Sequence, residues 1–323
     1  MVTVIRIPLH GIRMRTLRAR ILQNSPLRTN FYCRVIGLLK TYNQLYIDTR
    51  NTLRAHGVES PNLEARLLVA RAAGKTQDEL VRDFTLYTGE GIIAEAEAMI
   101  ARRLAGEPLA YILGTWEFYG LDLNVTPDVL IPRVDTEVLV DQAIGTFLGR
   151  MNNPRVLDLC CGSGCIGCAI GTQLPKSRIV MVDLSDKALR VARSNVMKCM
   201  LGARVSCVKA DAFQDPPAHI GTFDLIVSNP PYIRTMDILT LDTYVRDYEP
   251  LEALDGGQDG FDFYEAILKH WKSCLRPGGY LMFEVGEEQS GRVIDLMRLA
   301  GFHHVKTTLD TGCTERVVSG QLE

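Results

Sequence analysis

The chain of 323 residues lacks several features that would place it outside the ordinary globular class. No apolar run approaches the roughly 20 residues that a membrane-spanning helix needs, so we expect no membrane partner. The net charge is only −2, which gives no overall basic field for nucleic acid. No secretory signal opens the chain and its nine cysteines are an odd number, so we predict reduced thiols and a cytoplasmic location.

Acidic residues are missing from the amino end. The first acid is Asp48, and the positions before it hold seven arginines and one lysine. Such an end is typical of a mitochondrial transit peptide, which would place the protein in the mitochondrial matrix. It could also be an arm that binds anionic surfaces, or a non-native extension from a start codon placed too early. Residues 1–38 are therefore left out of the fold prediction.

Residues 39–110 carry a helical pattern. Apolar side chains recur at helical spacing from Leu63 to Ala72, and Ser60-Pro61 is a typical helix start. Three glycines divide the segment, so we predict a small helical amino-terminal domain. The segment holds no catalytic constellation, which favours a structural or substrate-docking role.

A change of pattern follows that segment. Apolar residues nearly alternate through residues 111–135, which predicts an extended β-hairpin linker. In the third part, 136–323, short apolar strands alternate with helices from Pro154 onward. The predicted strands are Arg155–Leu159, Arg178–Asp183, Val205–Lys209, Phe223–Ser228, Tyr280–Val285, His303–Thr307 and Arg316–Ser319. This rhythm predicts the α/β class, with a Rossmann-like, mostly parallel seven-stranded sheet. The connection from Thr308 to Glu315 is too short for a crossover helix, so the last strand is predicted to be antiparallel.

Ligands of open α/β sheets bind beyond the carboxyl ends of the strands. The first predicted strand ends in a glycine-rich loop and the second in Asp183, while Asp211 follows the third and Asn229 the fourth. The pattern Gly162-x-Gly164-x-x-Gly167 with an acid about 20 residues later matches a dinucleotide fingerprint. A nicotinamide oxidoreductase and an S-adenosylmethionine-dependent methyltransferase both fit this arrangement. A binding module with a degenerate site is a third interpretation.

The segment Asn229-Pro230-Pro231-Tyr232 separates these interpretations. An amide nitrogen is a poor nucleophile, because its lone pair is delocalised into the carbonyl. The Asn229 side-chain oxygen and the Pro230 carbonyl can accept hydrogen bonds from a planar –NH2 group, aim its lone pair and stabilise positive charge on it. Tyr232 can pack against the planar group. The segment therefore favours a methyltransferase that acts on an amide or amine, since neither other interpretation requires it.

Three segments give the chain a family resemblance: Ile131-Pro-Arg-Val-Asp-Thr-Glu137, the Asp158–Gly164 loop and Asn229–Tyr232. Over roughly residues 40–320, the chain resembles the release-factor glutamine methyltransferases of the PrmC/HemK family, which have the class I S-adenosylmethionine-dependent fold. The resemblance implies methylation of the side-chain nitrogen of the glutamine in the Gly-Gly-Gln loop of class I peptide chain release factors. These factors act in translation termination.

Two other acceptors share this chemistry. A ribosomal-protein glutamine is disfavoured by the Ile131–Glu137 segment, because the related enzymes that methylate a ribosomal protein have a different sequence there. DNA adenine is disfavoured by the near-neutral charge and by the lack of an obvious basic target-recognition insertion.

The resemblance also implies roles for individual residues. The cofactor would bind to Cys160, Cys161, Gly162, Ser163, Gly164, Asp183, Asp211, Ala212, Asn229 and Phe118, with Phe118 covering the methyl donor. The catalytic residues would be Asn229, Pro230 and Tyr232. The glutamine would bind to Asn229, Pro230, Pro231 and Tyr232. The sequence departs from the family pattern at Cys160, where glycine is usual, at Val134, where proline is common, and at Ala212, where a frequent aromatic is absent and adenine stacking is expected to be weaker.

Other motifs have simpler interpretations. Four cysteines lie between Cys160 and Cys168, but they span a tight turn and a helix start, so no metal site is predicted. Gly256-Gly257-Gln258 repeats the substrate triplet and is predicted to be a surface turn, not a self-methylation site. Asp158 is either functional or a brace for the glycine loop. We expect a monomer with release factors as partners and no direct contact with nucleic acid.

Overall fold

A computed structural model describes residues 40–147 and 153–323 of the protein. The extension predicted for residues 1–38 lies outside the described residues. The chain divides into two compact units between Ile100 and Ala101. Within the described ranges, no helix combines the length and the apolar character needed to cross a bilayer.

Short helices build the first unit. Helix α1 spans Tyr42–Ala55, α2 Pro61–Ala72 and α3 Gln77–Arg82, and α4, which runs from Glu90 to Leu104, begins in this unit and ends in the second. Thr41 and Thr76 cap α1 and α3 through reciprocal hydrogen bonds with the side chain three residues later. The helices enclose a core of Tyr42, Leu45, Val69, Ala70, Leu80 and Ala96. The predicted helical character of this region is confirmed.

The second unit continues with a short helix and a hairpin. Helix α5 is Leu109–Leu113, and strands β1 (Thr115–Phe118) and β2 (Leu121–Asn124) pair in antiparallel register. The prediction that residues 111–113 are extended is wrong. Gly114 ends α5 with a φ of 73°, a left-handed conformation that reverses the chain into β1. The buried Asn195 side chain holds the hairpin through the N–H and C=O of Asn124, at 2.7 and 3.0 Å.

A seven-stranded sheet has the order β5-β4-β3-β6-β7-β9-β8. Its strands are β3 Arg155–Leu159, β4 Arg178–Asp183, β5 Val205–Lys209, β6 Phe223–Ser228, β7 Leu275–Glu284, β8 Phe302–Leu309 and β9 Glu315–Leu322. Strands β3 to β7 pair in parallel, whereas β9 is antiparallel to both of its neighbours. The predicted fold class is therefore confirmed, and the carboxyl ends of five strands meet at one edge.

Helices cover both faces of this sheet. They are α6 Glu137–Phe147, α7 Cys165–Gln173, α8 Asp186–Lys198, α10 Asp262–His270 and α11 Ser290–Leu299, while the short α9, Thr243–Arg246, lies in the connection between β6 and α10. Along β3, Val156 packs in the core with α6, α7 and α8, while Leu157 and Leu159 pack in the core with α10 and α11. This alternation follows from the two-residue repeat of a strand. Because the helices cover the two faces, the carboxyl edge of the sheet is where a site can form.

Candidate active site

Two adjoining cavities lie at the carboxyl edge of the sheet. Cavity A has about 1060 Å³ of free space, counting its open mouth. Cavity B has about 430 Å³ counted in the same way. Leu130, Arg133, Asn229 and Ala253 line both cavities, so these residues form a shared wall.

The glycine loop forms the floor of cavity A. Three of its residues are left-handed, with φ of 61° at Cys160, 52° at Gly162 and 75° at Gly164. A Cβ atom on Gly162 would meet nothing within 4 Å, so the backbone there is open to a ligand. Gly164 does not line the cavity: its Cβ would come within 2.9 Å of the Met181 sulfur, so this glycine permits close packing of α7 instead.

Cys160 takes the left-handed conformation that a glycine would adopt without strain. A non-glycine residue in this region costs on the order of 1–3 kcal/mol and is held there by its surroundings. The neighbouring Cys161 N–H donates to the Val182 carbonyl at 3.0 Å, which ties the loop to β4. The substitution therefore keeps the turn and adds a thiol to the wall of cavity A.

Asp158 braces this loop from beneath. It is fully buried, and its Oδ2 accepts from the Gly167 N–H in the first turn of α7 at 2.9 Å. Burial raises the pKa of Asp158 to about 7. The Gly167 N–H is therefore occupied by a carboxylate of the protein itself.

Acids outnumber bases among the residues that line cavity A. Asp128, Asp183, Asp211 and Glu252 line it with a single base, Arg133. Asp183 accepts from the N–H groups of Gly162 and Ser185, at 2.8 and 2.9 Å, and burial raises its pKa. A pyrophosphate would meet like charge in this cavity, whereas a cation that carries ribose hydroxyls would find matching acceptors.

Two aromatic side chains that the sequence analysis missed stand at cavity A. Phe213 and Phe263 pack edge to face with their ring centres 4.7 Å apart, and both line the cavity. Ala212 is buried in the same wall, and its carbonyl accepts from the Trp271 indole at 3.1 Å. Phe213 directly follows Ala212 in sequence, so an aromatic is present one position later than expected.

Phe118 lies elsewhere. It is 2% exposed and belongs to the core cluster of β1, β2 and α6, and it lines neither cavity. The expectation that Phe118 covers the methyl donor therefore has no support in this arrangement. Its apolar ring is instead part of the packing that fixes the hairpin.

Asn229 occupies the shared wall, directly after β6. Its Nδ2 donates to the Thr136 hydroxyl at 3.2 Å. Among the described residues, neither the Asn229 Oδ1 nor the Pro230 carbonyl receives a hydrogen bond. Pro230 and Tyr232 line cavity B, and Pro231 lines cavity A. The segment thus offers two acceptors at the junction of the cavities.

The Ile131–Glu137 segment holds this junction together. Glu249, whose side chain is fully buried, accepts from the Ile131 N–H at 3.2 Å and forms an ion pair with Arg133. A 3-10 turn, Val134–Thr136, follows and brings the Thr136 hydroxyl to Asn229. The sequence analysis missed Glu249, because it lies 118 residues beyond its partner.

The remaining acids of this segment also have partners. Glu137 accepts from the Tyr119 N–H at 2.8 Å, and Asp135 pairs with Arg316 at 3.4 Å. These contacts connect the hairpin and the last strand to the same turn. The motif that carries the family resemblance therefore organises the contacts around Asn229, and its Pro132, Arg133 and Thr136 also line cavity A.

Glu284 is a further residue that the sequence analysis missed. It ends β7, is 2% exposed and lines cavity B. Its Oε1 accepts from the Tyr232 hydroxyl at 3.5 Å, and its Oε2 has no hydrogen-bond partner among the described residues. Burial raises the pKa of Glu284 to about 7. Its place at the end of a fifth parallel strand is a feature of the sequence that could have identified Glu284 as a site residue.

Comparison with known proteins identifies the family. The "PrmC N-terminal domain" family matches residues 44–114, and the "Methyltransferase small domain" family matches residues 134–243. The release factor glutamine methyltransferase of Geobacter sulfurreducens is 42% identical over 85% of this chain and 94% of its own length. That of Clostridium botulinum is 37% identical over 86% and 98%. The chain belongs to the release factor glutamine methyltransferase family.

A solved structure adds the fold alone. The catalytic domain of hMettl16, in complex with a 3′UTR hairpin, is 18% identical, with a TM-score of 0.53 over 70% of this chain and 82% of that one. Membership of the methyltransferase family confirms the predicted enzyme class and sets aside the oxidoreductase and the degenerate binding module.

The cysteine cluster and the Gly256-Gly257-Gln258 triplet can be placed in the fold. Within the described residues, no group of three or more potential metal ligands occurs, and burial raises the pKa of the Cys165 thiol to about 12. A Cβ on Gly256 would come within 2.6 Å of the Tyr232 Cα. Gly256 therefore packs closely against the Asn229–Tyr232 segment, whereas Gly257 has a φ of 92° and a Cβ there would meet the Asp262 carboxylate. Gln258 is exposed.

Proposed function

We propose that this enzyme transfers a methyl group from S-adenosylmethionine to the side-chain amide nitrogen of the glutamine in the Gly-Gly-Gln loop of class I release factors. The observation that carries the proposal is the position of Asn229 in the wall shared by cavities A and B. A group that contacts both cavities is placed to hold the acceptor next to the donor. The proposal includes action as a monomer in the cytoplasm.

Cavity A fits the cofactor. Its open floor at Gly162 would take the methionine part, Asp183 and Asp211 would accept from the ribose and the adenine, and Phe213 and Phe263 would contact the adenine ring. The surplus of acids suits a cationic ligand. When bound, S-adenosylmethionine supplies a methyl group on a positively charged sulfur, and the carbon–sulfur bond breaks as the amide nitrogen takes the methyl.

Cavity B would hold the acceptor amide. Its –NH2 group would donate one hydrogen bond to Asn229 Oδ1 and one to the Pro230 carbonyl, neither of which receives a hydrogen bond from the described residues. This pair would turn the nitrogen lone pair toward cavity A and stabilise the positive charge that grows on nitrogen. The half-buried Tyr232 would pack on the planar amide. The proton can leave after the transfer, so no base is needed before it.

A methyl-transfer assay tests the proposal. The purified protein and labelled S-adenosylmethionine would be offered an intact class I release factor, the same factor with its loop glutamine changed to alanine, and duplex DNA. We expect label only on the intact factor. Label on DNA, or equal label on both forms of the factor, would overturn the proposed acceptor.

A further inference from the structure

We infer that Gln289 is a positioning residue that holds Tyr232 in place against the acceptor amide. The inference rests on the proposed function of the site, because the position of Tyr232 matters for transfer only if cavity B receives that amide. Tyr232 ends the Asn229–Tyr232 segment and lines cavity B, whereas Gln289 directly precedes helix α11 and lines neither cavity. Gln289 therefore acts through Tyr232 and not on the substrate itself.

The main chain of the Asn229–Tyr232 segment has few donors of its own. Pro230 and Pro231 have no N–H, so two of its four residues cannot anchor the segment by donating a backbone hydrogen bond. Among the described residues, the only hydrogen bond to the Tyr232 main chain comes from Gln289, whose Nε2 donates to the Tyr232 carbonyl at 2.9 Å. The position of Tyr232 therefore depends on a side chain that lies 57 residues further along the chain.

The groups around Gln289 set the orientation of its side-chain amide. Its Oε1 accepts from the Gly286 N–H at 3.0 Å, and its Nε2 also donates to the Gly260 carbonyl at 3.3 Å. A backbone N–H can only donate and a backbone carbonyl can only accept, so a reversed amide would lose these bonds. Gln289 thus joins three segments: the turn that follows β7, the loop that precedes α10 and the segment that follows β6.

Two glycines let these segments approach Tyr232 closely. A Cβ on Gly286 would come within 3.0 Å of the Tyr232 ring, and a Cβ on Gly260 would come within 2.5 Å of the Tyr232 carbonyl oxygen. Neither position has room for a larger residue unless Tyr232 moves. The ring therefore lies directly on the Gly286 turn, and Gln289 binds both that turn and the Tyr232 carbonyl.

The direct test observes Tyr232 without cofactor or release factor. Gln289→Glu keeps the size of the side chain and an acceptor for the Gly286 N–H, but at pH 8 its carboxylate cannot donate to the Tyr232 carbonyl. In the full chain with 13C-labelled tyrosine rings, the Tyr232 signals are assigned with Tyr232→Phe. We expect these signals to shift or broaden in Gln289→Glu. Signals that keep their wild-type position and width would overturn the inference.

A matched control makes the same substitution elsewhere in the sheet. The Nε2 of Gln321 on β9 donates to the Gly278 carbonyl at 2.9 Å, and Gln321 lines neither cavity. Gln321→Glu therefore removes the same kind of bond and adds the same charge, and it should leave the Tyr232 signals unchanged. An equal change of these signals in Gln321→Glu would assign the effect to the added charge and contradict the inference.

The Gly286 turn offers a second variant. Gly286 lies outside the left-handed region, so the Cβ of Gly286→Ala acts through its contacts with the Tyr232 ring and with Gln289 Oε1, at 3.0 and 2.8 Å. We expect it to shift the Tyr232 signals as well. Gly291→Ala is the control, because a Cβ there would meet nothing within 4 Å. Tyr232 signals that are unchanged in Gly286→Ala, or changed equally in Gly291→Ala, would contradict the inference.

Kinetics supply the second readout. Gln289→Glu should lower kcat/KM for the release factor by about 10- to 100-fold, through a higher KM and a lower kcat, while the Kd of S-adenosylmethionine stays as in the wild type. A merely structural role would weaken cofactor binding too, and that result would rule out a positioning role. Wild-type kcat/KM in Gln289→Glu would rule it out as well.

A double variant shows whether Gln289 acts through Tyr232. Tyr232→Ala combined with Gln289→Glu should be little worse than Tyr232→Ala alone, because no ring is left to position. Additive losses would mean that Gln289 acts elsewhere and would overturn the inference. Failure of release-factor methylation in the wild type would instead contradict the proposed function, while the Tyr232 signals still decide whether Gln289 positions Tyr232.

Discussion

Cavities A and B satisfy their polar groups in different ways. In cavity A, Asp183 and Asp211 accept from the backbone N–H groups of nearby residues, so their positions follow from the path of the chain. In cavity B, Glu284 and Asn229 contact other side chains and leave acceptors without donors. Cavity A is thus organised for binding, whereas cavity B keeps acceptors free for a group that arrives from outside.

Removing the shared residue should have the largest effect. Asn229→Ala deletes one of the two acceptors for the amide, so we expect transfer to fall by at least about 100- to 1,000-fold. Cofactor affinity and thermal stability should change little, because Asn229 makes one side-chain hydrogen bond in the structure. The assay pairs single-turnover transfer with calorimetric titration of the cofactor. Near-normal turnover would contradict the role of Asn229 in holding the acceptor amide between the two cavities.

The buried carboxyl of cavity B should make stability depend on pH. Its pKa rises from 4.5 to about 7 on folding, so between these values the folded state binds more protons than the unfolded state. The free energy of unfolding therefore falls as pH rises through this window, by up to about 3 kcal/mol. Glu284→Gln removes this contribution.

Urea unfolding of the wild type and Glu284→Gln at pH 5 and pH 8 measures the effect. The variant should gain stability relative to the wild type at pH 8 compared with pH 5. Because Asp158 has a similarly raised pKa, both proteins retain its pH dependence and the difference isolates Glu284. An equal pH dependence in both proteins would show that Glu284 is ionised freely in the folded state.

Cavity A is tested by Asp183→Ala. Loss of a charged acceptor should weaken cofactor binding by about 1.5–3 kcal/mol, or roughly 10- to 100-fold in Kd, while kcat at saturating cofactor changes less. Asp186→Ala is the matched control, because Asp186 is exposed, pairs with Lys209 and does not line the cavity. Equal loss of affinity in both variants would contradict a specific role for Asp183.

The sequence predicted the sheet and the glycine loop well, because both depend on local patterns. Strands β3 to β6 begin and end at the predicted residues. Strand β7 begins five residues earlier than predicted, since residues 276–279 loop out where the pairing shifts between Phe223 and Leu225. A Pro-Gly-Gly segment gives no local sign that the strand continues before it.

The site was predicted less completely, because its supporting contacts join distant parts of the chain. Nothing near Glu249 in sequence indicates that it binds Ile131 and Arg133. Glu284 could have been found, since it ends a strand at the same edge as Asp183. Phe118 is the opposite case: family resemblance assigned this aromatic to the site, whereas in the structure it is buried in the core and lines neither cavity.

The smallest predicted effect concerns the turn that connects the cavities. Val134 is 71% exposed and begins the 3-10 turn, and Arg133 before it has φ −101° and ψ 145°, which suit a residue that precedes proline. Proline is favoured at the first position of a helical turn. Val134→Pro should therefore raise the free energy of unfolding by about 0.4–1 kcal/mol, through the unfolded chain, and leave cofactor affinity and kcat unchanged. Urea unfolding measures the gain. A loss of stability would mean that the turn depends on a hydrogen bond from the Val134 N–H. A change in kcat without a change in stability would mean that the turn controls the position of Thr136 beside Asn229.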